Sequence, residues 1–346
     1  MNTQKTYAIG VDLGGTNTVF GIVDRSGNIL AQASIKTQAY PTAEAFVEVG
    51  VQTLLPLIQQ VGGIDQIAGM GIGAPNANYY TGAIETAPNI AWAHERIVPL
   101  AQMFSSSLSQ LSSSHPASSL GLRKTVSPPS FPVLLTNDAT AAAMGEMAYG
   151  AARHMKDFIV ITLGTGVGSG IVTGGQLLYG HDGFAGELGH VIMVRGQEGR
   201  PCGCGRTGCL ETYCSATGVA RTARELLTTT DRPSLLRQKP LDQIESLDVS
   251  IAASQGDQLA LDIFRFTGTL LGQACADFAA FSSPEAFIFF GGLCRAGELI
   301  MQPIREAYER SVMPIYRGKA QFLVSPLMDT NAAVLGASAL VWGDQK

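Results

Sequence analysis

The residues best suited to chemistry are one histidine and three cysteines in a glycine-rich stretch. His190 is followed by Cys202, Cys204 and Cys209, with glycines between the cysteines. One imidazole and three thiolates form a closed tetrahedral zinc site, and glycine permits the tight reversal that gathers the sulfurs. Unliganded thiols or a redox pair are the alternatives, and Cys214, in an expected helix, is the rival fourth ligand. The pattern favours a structural zinc ion.

Two glutamates flank this cluster. Glu187 lies just before His190, and Glu211 lies just after Cys209. Neither carboxylate is needed to complete a site of three cysteines and one histidine. Carboxylates held beside a metal site suit bidentate hydrogen bonds to neighbouring hydroxyls of a sugar. Both glutamates are thus candidates for binding a ligand with neighbouring hydroxyl groups.

Two glycine-rich turns each follow one apolar strand and lead into another. They consist of Gly14, Gly15, Thr16 and Asn17, and of Gly164, Thr165 and Gly166. Consecutive backbone N–H groups in such a turn can form a concave anion site, and threonine hydroxyls add donors. Either turn alone could be a plain hairpin, but two of them favour a nucleotide. Neither turn matches a G-x-x-x-x-G-K-[ST] loop or a dinucleotide-binding helix start.

These turns lie in two similar segments of the chain. Residues 13–23 and 163–172 share one pattern, with a single deletion. A repeat of 20 to 50 residues would indicate a solenoid, whereas a spacing of about 150 residues indicates two similar domains. Chance similarity between glycine-rich turns is the alternative.

Carboxylates end two of the apolar strands. Asp12 lies beside the first turn and would repel phosphate unless Mg²⁺ or its water shell lay between them, although it could simply cap the turn. Asp138 follows Asn137 at the end of a strand. There it could take a proton from a hydroxyl that attacks phosphorus, or it could N-cap a helix over 139–149. The sequence leaves both pairs of alternatives open.

A third strand terminus carries two glycines. The apolar run 287–290 ends in Gly291 and Gly292, where the backbone could approach an adenosine base closely. A plain turn between a strand and a helix is an equal alternative.

Composition and charge exclude several classes of protein. The 346 residues are 46% hydrophobic and 15% charged, which excludes a disordered chain. A net charge of −5 without a long basic run disfavours a nucleic-acid-binding protein. The N-terminus lacks the apolar core of a signal peptide, and the uncharged run 159–180 fits strand, turn and strand better than a membrane helix. We expect a cytoplasmic protein without nucleic-acid or membrane partners.

The elements that must position these residues alternate between strands and helices. Strands are predicted over 7–13, 19–24, 28–36, 67–72 and 132–136, and helices over 42–60 and 139–149, from apolar spacing and turn residues. This order indicates an α/β fold. The serine-rich stretch 105–130 has no clear periodicity, so we expect a mobile surface excursion there.

Taken together, these motifs resemble the ROK family (repressor, open reading frame, kinase) of the actin-like ATPase superfamily. The resemblance extends from Ile9-Gly-Val-Asp-Leu-Gly-Gly-Thr16 to a final helix over 332–342, and the paired Glu-x-Gly-His and Cys-x-Cys-Gly-x-x-Gly-Cys-x-Glu motifs are highly specific. It implies two actin-like (ribonuclease H-like) α/β domains around a central cleft, MgATP, and phosphorylation of a hexose. It also implies that Asp138 is the catalytic base and that Asn137, Glu187, His190 and Glu211 contact the sugar.

The segments 71–75 and 87–92 are similar to the glucokinase branch of that family, which implies that Asn89 lies near the sugar. Asn76 departs from the branch, which usually has glycine after the proline. Fructose, mannose or N-acetylmannosamine could replace glucose, and a sugar-sensing regulator is a more distant alternative. The expected domains are 1–136, completed by 332–346, and 137–331, which carries a small zinc knuckle. The expected assembly is a homodimer or homotetramer.

Overall fold

The apolar segments of the chain build two five-stranded mixed sheets covered by helices. The computed structural model describes residues 5–113, 130–328 and 331–343. Its contacts divide the chain into two compact units. Unit 1 comprises the described residues of Met1–Arg153, Tyr179–Ala185 and Asp329–Lys346, and unit 2 those of His154–Leu178 and Gly186–Met328. The predicted α/β class is confirmed.

Thirteen strands are present in the described residues. They are β1 (Tyr7–Leu13), β2 (Asn17–Asp24), β3 (Ile29–Lys36), β4 (Ile67–Gly73), β5 (Ala77–Asn78), β6 (Ala83–Glu85), β7 (Ile97–Val98), β8 (Val133–Thr136), β9 (Phe158–Leu163), β10 (Val167–Thr173), β11 (Gln176–Leu177), β12 (Ala286–Phe290) and β13 (Gln321–Val324).

Nine α-helices accompany them over the same part of the chain. They are α1 (Ala43–Gln60), α2 (Leu100–Ser113), α3 (Asp138–Tyr149), α4 (Glu211–Cys214), α5 (Ala216–Thr229), α6 (Ser246–Ser254), α7 (Gln258–Ser282), α8 (Glu298–Ser311) and α9 (Ala332–Gly343). No described helix combines the length and the apolar character that crossing a membrane requires.

The two large sheets have the same topology. In unit 1 the strand order is β3-β2-β1-β4-β8, and in unit 2 it is β11-β10-β9-β12-β13. In each sheet the first three strands form an antiparallel meander, and the central strand pairs in parallel with the next one along the sheet. The shared order agrees with the repeat predicted from the sequence. A small antiparallel sheet, β5-β6-β7, belongs to unit 1.

Helix α9 completes unit 1 by packing directly on its sheet. A Cβ atom at Gly10 of β1 would lie 2.0 Å from the Val334 carbonyl oxygen, and one at Gly71 of β4 would lie 1.8 Å from the Ala337 oxygen. Only glycine lets the helix backbone approach the strands this closely. The helix residues that face this contact are buried, and Val334 and Ala337 are fully so.

The prediction of an irregular excursion over 105–130 is wrong for its first part, because residues 105–113 belong to helix α2. Phe104 and Leu108 are fully buried and anchor the helix in the core of unit 1. The Ser105 hydroxyl donates to the Phe131 carbonyl (2.6 Å), and the Phe131 N–H donates to the Ser109 hydroxyl (2.8 Å). These serines therefore tie the helix to the chain just before β8. Residues 114–129 lie outside the described part of the structure.

The sequence placed the domain boundary after residue 136, whereas the compact units divide the chain elsewhere. Helix α3 belongs to unit 1, as does the short segment Tyr179–Ala185. The buried Asn78 side chain fastens that segment, since its Nδ2 donates to the Asp182 carbonyl (2.8 Å). Tyr79 stacks on Tyr179 with ring centroids 4.0 Å apart. Tertiary contacts of this kind decide the division, and local sequence does not reveal them.

Candidate active site

The carboxyl ends of three parallel strands bring the catalytic candidates of unit 1 together. Asp12 of β1 pairs with Gly73 of β4, and Gly73 pairs with Thr136 of β8. The chain leaves β8 through Asn137 and Asp138, and the Asp138 Cα lies 3.6 Å from where a Cβ of Gly73 would be. Asp12, Asn137 and Asp138 thus lie at one edge of the sheet.

Helix α3 begins at Asp138, and Asn137 is its N-cap. The Asn137 Oδ1 accepts a hydrogen bond from the Ala139 N–H (2.9 Å). The Asp138 Oδ1 accepts from the same N–H (2.7 Å) as the first residue of the helix. The cap position therefore belongs to Asn137, and capping the helix does not by itself account for an aspartate at 138.

The electrostatics of this edge favour a bound cation. Surrounding protein raises the pKa of Asp138 above its usual range, although its side chain keeps access to solvent. Burial, together with the nearby Asp138 carboxylate, raises the pKa of Asp12 to about 6. Two carboxylates that repel each other are relieved by a cation, and Mg²⁺ prefers oxygen ligands and bound water. The donor set at this edge therefore fits Mg²⁺.

The first glycine turn is held by residues that the sequence analysis missed. The Thr37 hydroxyl donates to the Gly14 carbonyl (2.7 Å). The Gln38 Nε2 donates to the Gly15 carbonyl (2.8 Å) and to the Asn89 carbonyl (2.7 Å). Both residues follow β3 and hydrogen-bond to backbone carbonyls. Because these contacts do not depend on the partner's side chain, no sequence motif identifies the two residues. The side chains of Thr16 and Asn17 are exposed beside this turn.

Asn89, predicted to lie near the sugar, is placed against this turn. A Cβ at Gly15 would lie 2.9 Å from the Asn89 carbonyl oxygen. The Asn89 side chain is exposed. Asn89, a candidate for binding sugar, thus lies next to the first glycine turn, a candidate for binding phosphate.

Asn76, the departure from the glucokinase branch, has a left-handed backbone with φ of 51°. Asparagine tolerates this region better than most residues that are not glycine. Its Nδ2 donates to the carbonyls of Glu85 (3.2 Å) and Thr86 (3.1 Å). Asn76 therefore occupies a left-handed position that a glycine could also occupy.

The second glycine turn occupies the corresponding edge of the sheet in unit 2. The Gly164 N–H donates to the Gly166 carbonyl (3.1 Å), which makes this turn shorter than the first, as the deletion in the repeat predicted. Gly291, with φ of 116°, packs its Cα against the backbone of Leu163, so Gly291 and Gly292 lie next to the turn. A pocket of about 370 Å³ adjoins it. Its lining includes Thr165, Ala216, Thr217, Ala220, Arg224, Glu245 and Ser246.

The predicted metal ligands lie together in unit 2. The ligand atoms of His190, Cys202, Cys204 and Cys209 lie within 4.8 Å of one another. The Cys204 and Cys209 sulfurs are 3.7 Å apart, and the Cys202 Sγ is 3.6 Å from the His190 Nδ1. A tetrahedral ion with bonds of about 2.3 Å to sulfur and about 2.0 Å to nitrogen requires separations of about 3.8 and 3.5 Å. These four residues therefore fit zinc.

Cys214, the alternative fourth ligand, is buried in the core and hydrogen-bonds to another part of unit 2. It ends helix α4, is fully buried, and donates through Sγ to the Thr267 carbonyl (3.5 Å). Burial raises the pKa of this thiol, which disfavours the thiolate that a metal needs. Cys214 is a core residue.

The two flanking glutamates lie on either side of this cluster. The Glu187 Oε2 is 3.9 Å from the His190 Nε2, on the opposite side of the ring from Cys202. The Glu211 Oε2 accepts from the Val167 N–H (3.0 Å), just after the second glycine turn. Glu187 and His190 thus form a polar pair, whereas Glu211 contacts the turn, a contact that the sequence did not reveal.

Comparison with known proteins identifies the group to which this arrangement belongs. The chain is 34% identical to the glucokinase of Streptomyces coelicolor over 96% of each chain, and 34% identical to that of Thermotoga maritima over 97% of this chain and 98% of the relative. The crystal structure of a ROK family glucokinase from Streptomyces griseus, in complex with glucose and AMPPNP, superposes with a TM-score of 0.74. It is 35% identical, and the match covers 96% of this chain and 98% of that one.

Residues 8–109 and 121–343 match the model of the ROK family, so the comparison spans both compact units and nearly every motif described above. The mixed α/β sheets are those of the ROK sugar kinases. The resemblance predicted from the sequence is confirmed, and the chain belongs to the ROK family.

Proposed function

We propose that this protein is an ATP-dependent glucokinase that transfers the terminal phosphoryl group of ATP to the 6-hydroxyl of glucose. The observation that carries the proposal is the edge of the unit 1 sheet, where the Asp138 carboxylate lies near Asp12 and the N-cap of helix α3 is Asn137. Relatives named glucokinase, 34% identical over nearly the whole chain, support the same activity.

In this proposal Asp138 is the general base. The glucose 6-hydroxyl oxygen bonds to the γ-phosphorus while the bond from that phosphorus to the β,γ-bridging oxygen breaks, and ADP leaves. The hydroxyl proton passes to the Asp138 carboxylate. The raised pKa of Asp138 suits this role, since a base with a pKa closer to the working pH accepts a proton more readily.

The sugar ligands are assigned by the family resemblance. Asn89, Asn137, Glu187, His190 and Glu211 are proposed to contact glucose hydroxyls. His190 would use Nε2 for this, because its Nδ1 faces the sulfur of Cys202. Zinc held by His190 and the three cysteines would be structural, because four protein ligands leave no open position for a reacting water.

The residues proposed to bind ATP are those of the two glycine turns and of the segment beside the second turn. Gly14, Gly15, Thr16, Asn17, Gly164, Thr165 and Gly166 are proposed to hold the phosphates of ATP. Gly291, Gly292 and the pocket beside Thr165 are proposed to hold its adenosine. Asp12 would hold Mg²⁺ through its water shell, and the ion, when bound with ATP, neutralises phosphate charge.

We also propose that the protein acts in the cytoplasm as a homodimer or homotetramer, with the sugar and MgATP as its partners and without nucleic acid. Light scattering on the purified protein measures the assembly directly. A monomer at micromolar concentration would contradict this part of the proposal.

A panel of hexoses tests the proposed activity. Glucose, fructose, mannose and N-acetylmannosamine would each be titrated with MgATP in an assay that measures ADP release. We expect the highest kcat/KM with glucose. A higher value with another sugar would reassign the substrate, and sugar binding without ADP release from any of them would favour a sugar-sensing regulator.

A further inference from the structure

The segment that follows the third cysteine holds the second glycine turn. The Ala216 N–H donates to the Gly164 carbonyl (2.8 Å), and the Thr217 hydroxyl donates to the Thr165 carbonyl (2.8 Å). Glu211 supplies a third contact, because its Oε2 accepts from the Val167 N–H. Every one of these partners comes from residues 211–217, which directly follow Cys209.

Glu211 connects this turn to the cysteine cluster. Its Oε2 is so close to the turn that a Cβ at Gly166 would lie 2.4 Å from that oxygen. Its Oε1 lies 3.8 Å from the Cys202 sulfur. One carboxylate therefore contacts a candidate metal ligand on one side and the backbone of the turn on the other.

We propose that Glu211 is a positioning residue through which the metal site fixes the second glycine turn for nucleotide binding. An ion bound at Cys209 would fix the chain two residues before Glu211, and one bound at Cys202 would fix the sulfur that lies beside its carboxylate. The carboxylate would then hold the Val167 N–H, and the N–H groups of Thr165 and Gly166 would keep the orientation that phosphate requires. The inference rests on the proposed function for the identity of the nucleotide.

This role differs from that of a sugar ligand alone. A residue that only bound glucose would affect the affinity for glucose and leave the turn and nucleotide binding unchanged. A positioning residue must affect nucleotide affinity when no sugar is present. It must also affect the exchange of the Val167 amide hydrogen, because the carboxylate bonds that amide directly.

The experiment compares Glu211→Ala with Glu211→Gln and with Glu187→Gln as the matched control. Hydrogen exchange is followed for the peptide that contains Val167, zinc content is measured, and Mg²⁺-AMPPNP binding is titrated without sugar. A hydrogen bond to a charged group contributes enough that its loss should speed exchange and weaken nucleotide binding by about ten- to a hundredfold in Glu211→Ala. Glu211→Gln keeps an acceptor oxygen and should show a smaller change, and Glu187→Gln should show none.

Removal of the metal by a chelator is the second arm. We expect the same faster exchange at Val167 in the chelated wild-type protein. Exchange and AMPPNP affinity within twofold of wild type in Glu211→Ala would overturn the inference. If the wild-type protein failed to bind AMPPNP, the proposed function would fail instead, and the exchange at Val167 would still decide whether Glu211 holds the turn.

Discussion

In unit 1 the turn between β1 and β2 is held by Thr37 and Gln38, which follow the next strand of the same meander. In unit 2 the turn between β9 and β10 is held by residues 211–217, which come from the flank of the cysteine cluster. The strand order is the same in both sheets. Two sheets with the same strand order thus carry similar glycine turns, but each turn is held by residues from a different part of the chain.

The edges of the two sheets differ in charge as well. The unit 1 edge carries two carboxylates, those of Asp12 and Asp138, whereas the unit 2 turn is contacted by one, that of Glu211, and by the N-terminus of helix α5. Carboxylates suit proton transfer and cation binding, and glycine backbone suits close approach to an anion. Under the proposed function, unit 1 would supply the base and the cation site, and both glycine turns would contact the nucleotide.

The largest expected effect tests the chemical role of unit 1. Asp138→Asn keeps the size of the side chain but cannot accept a proton, so kcat should fall by about 10²- to 10⁴-fold. Glucose affinity, measured by calorimetry, should stay within a few-fold of wild type. A near-normal kcat would place the base elsewhere, with Glu187 the next candidate, and a variant that failed only in glucose binding would make Asp138 a sugar ligand.

The next prediction concerns the metal site that distinguishes unit 2. Cys204→Ser should lose about one equivalent of zinc per chain and several-fold of the folded yield, because structural zinc contributes directly to folding. Metal analysis by mass spectrometry and the yield of folded protein measure both effects. Cys214→Ala is the control and should retain its zinc, because that thiol bonds Thr267. Active wild-type protein without zinc would refute the assignment.

A matched pair of glycine substitutions sharpens the comparison between the turns. A Cβ at Gly15 would lie 2.9 Å from the Asn89 carbonyl, whereas one at Gly164 meets no atom within 4 Å. Gly15→Ala should therefore lower the free energy of unfolding by about 1–3 kcal/mol. Gly164→Ala should leave Tm unchanged but, if this turn binds phosphate as proposed, should raise KM for ATP about tenfold, equivalent to ~1.4 kcal/mol, because its methyl group would enter the open space beside the turn. Thermal melts and steady-state kinetics distinguish the two variants. An equal loss of Tm in Gly15→Ala and Gly164→Ala would contradict the predicted difference between the turns.

The smallest expected effect comes from Asp12 in the ligand-free protein. Its pKa of about 6 means that the folded state binds this proton more tightly than the unfolded state does. The resulting stability is fully present below about pH 4 and is lost as the pH rises through about 6, a change of about 3 kcal/mol at most. Asp12→Asn should therefore raise Tm by a few degrees relative to wild type at pH 7.5 and by clearly less at pH 4.5. An equal Tm difference at both values would contradict the raised pKa.

Local patterns predicted the elements that carry most of the site. The strand Tyr7–Leu13 agrees with the prediction, and helix α1 begins one residue after the predicted start because Thr42 is its N-cap. Both follow from apolar spacing and a cap, which are properties of adjacent residues. The clustering of His190 with the three cysteines was predictable for the same reason, since glycine and cysteine spacing within a short stretch brings these side chains together.

Features that depend on distant contacts were not predictable. Helix α2 is rich in serine, and its buried Phe104 and Leu108 together with its hydrogen bonds to Phe131 hold it against unit 1. Gln38 donates to the backbone carbonyls of Gly15 and Asn89. Because every residue has a backbone carbonyl, the residue types at these positions do not predict the contact. The roles of Asp138, Asn137, Glu187 and the glycine turns stay predictions until the variants are measured.

The position of helix α9 has a consequence for the order in which the protein folds during synthesis. The helix covers the unit 1 sheet at Gly10 and Gly71, yet it follows α3 by about 180 residues, which a ribosome takes roughly 10 to 40 s to add. During that time the strands of unit 1 are complete but their apolar face lacks its cover. The nascent N-terminal region must therefore remain unaggregated, alone or with a chaperone, until the whole of unit 2 has been translated.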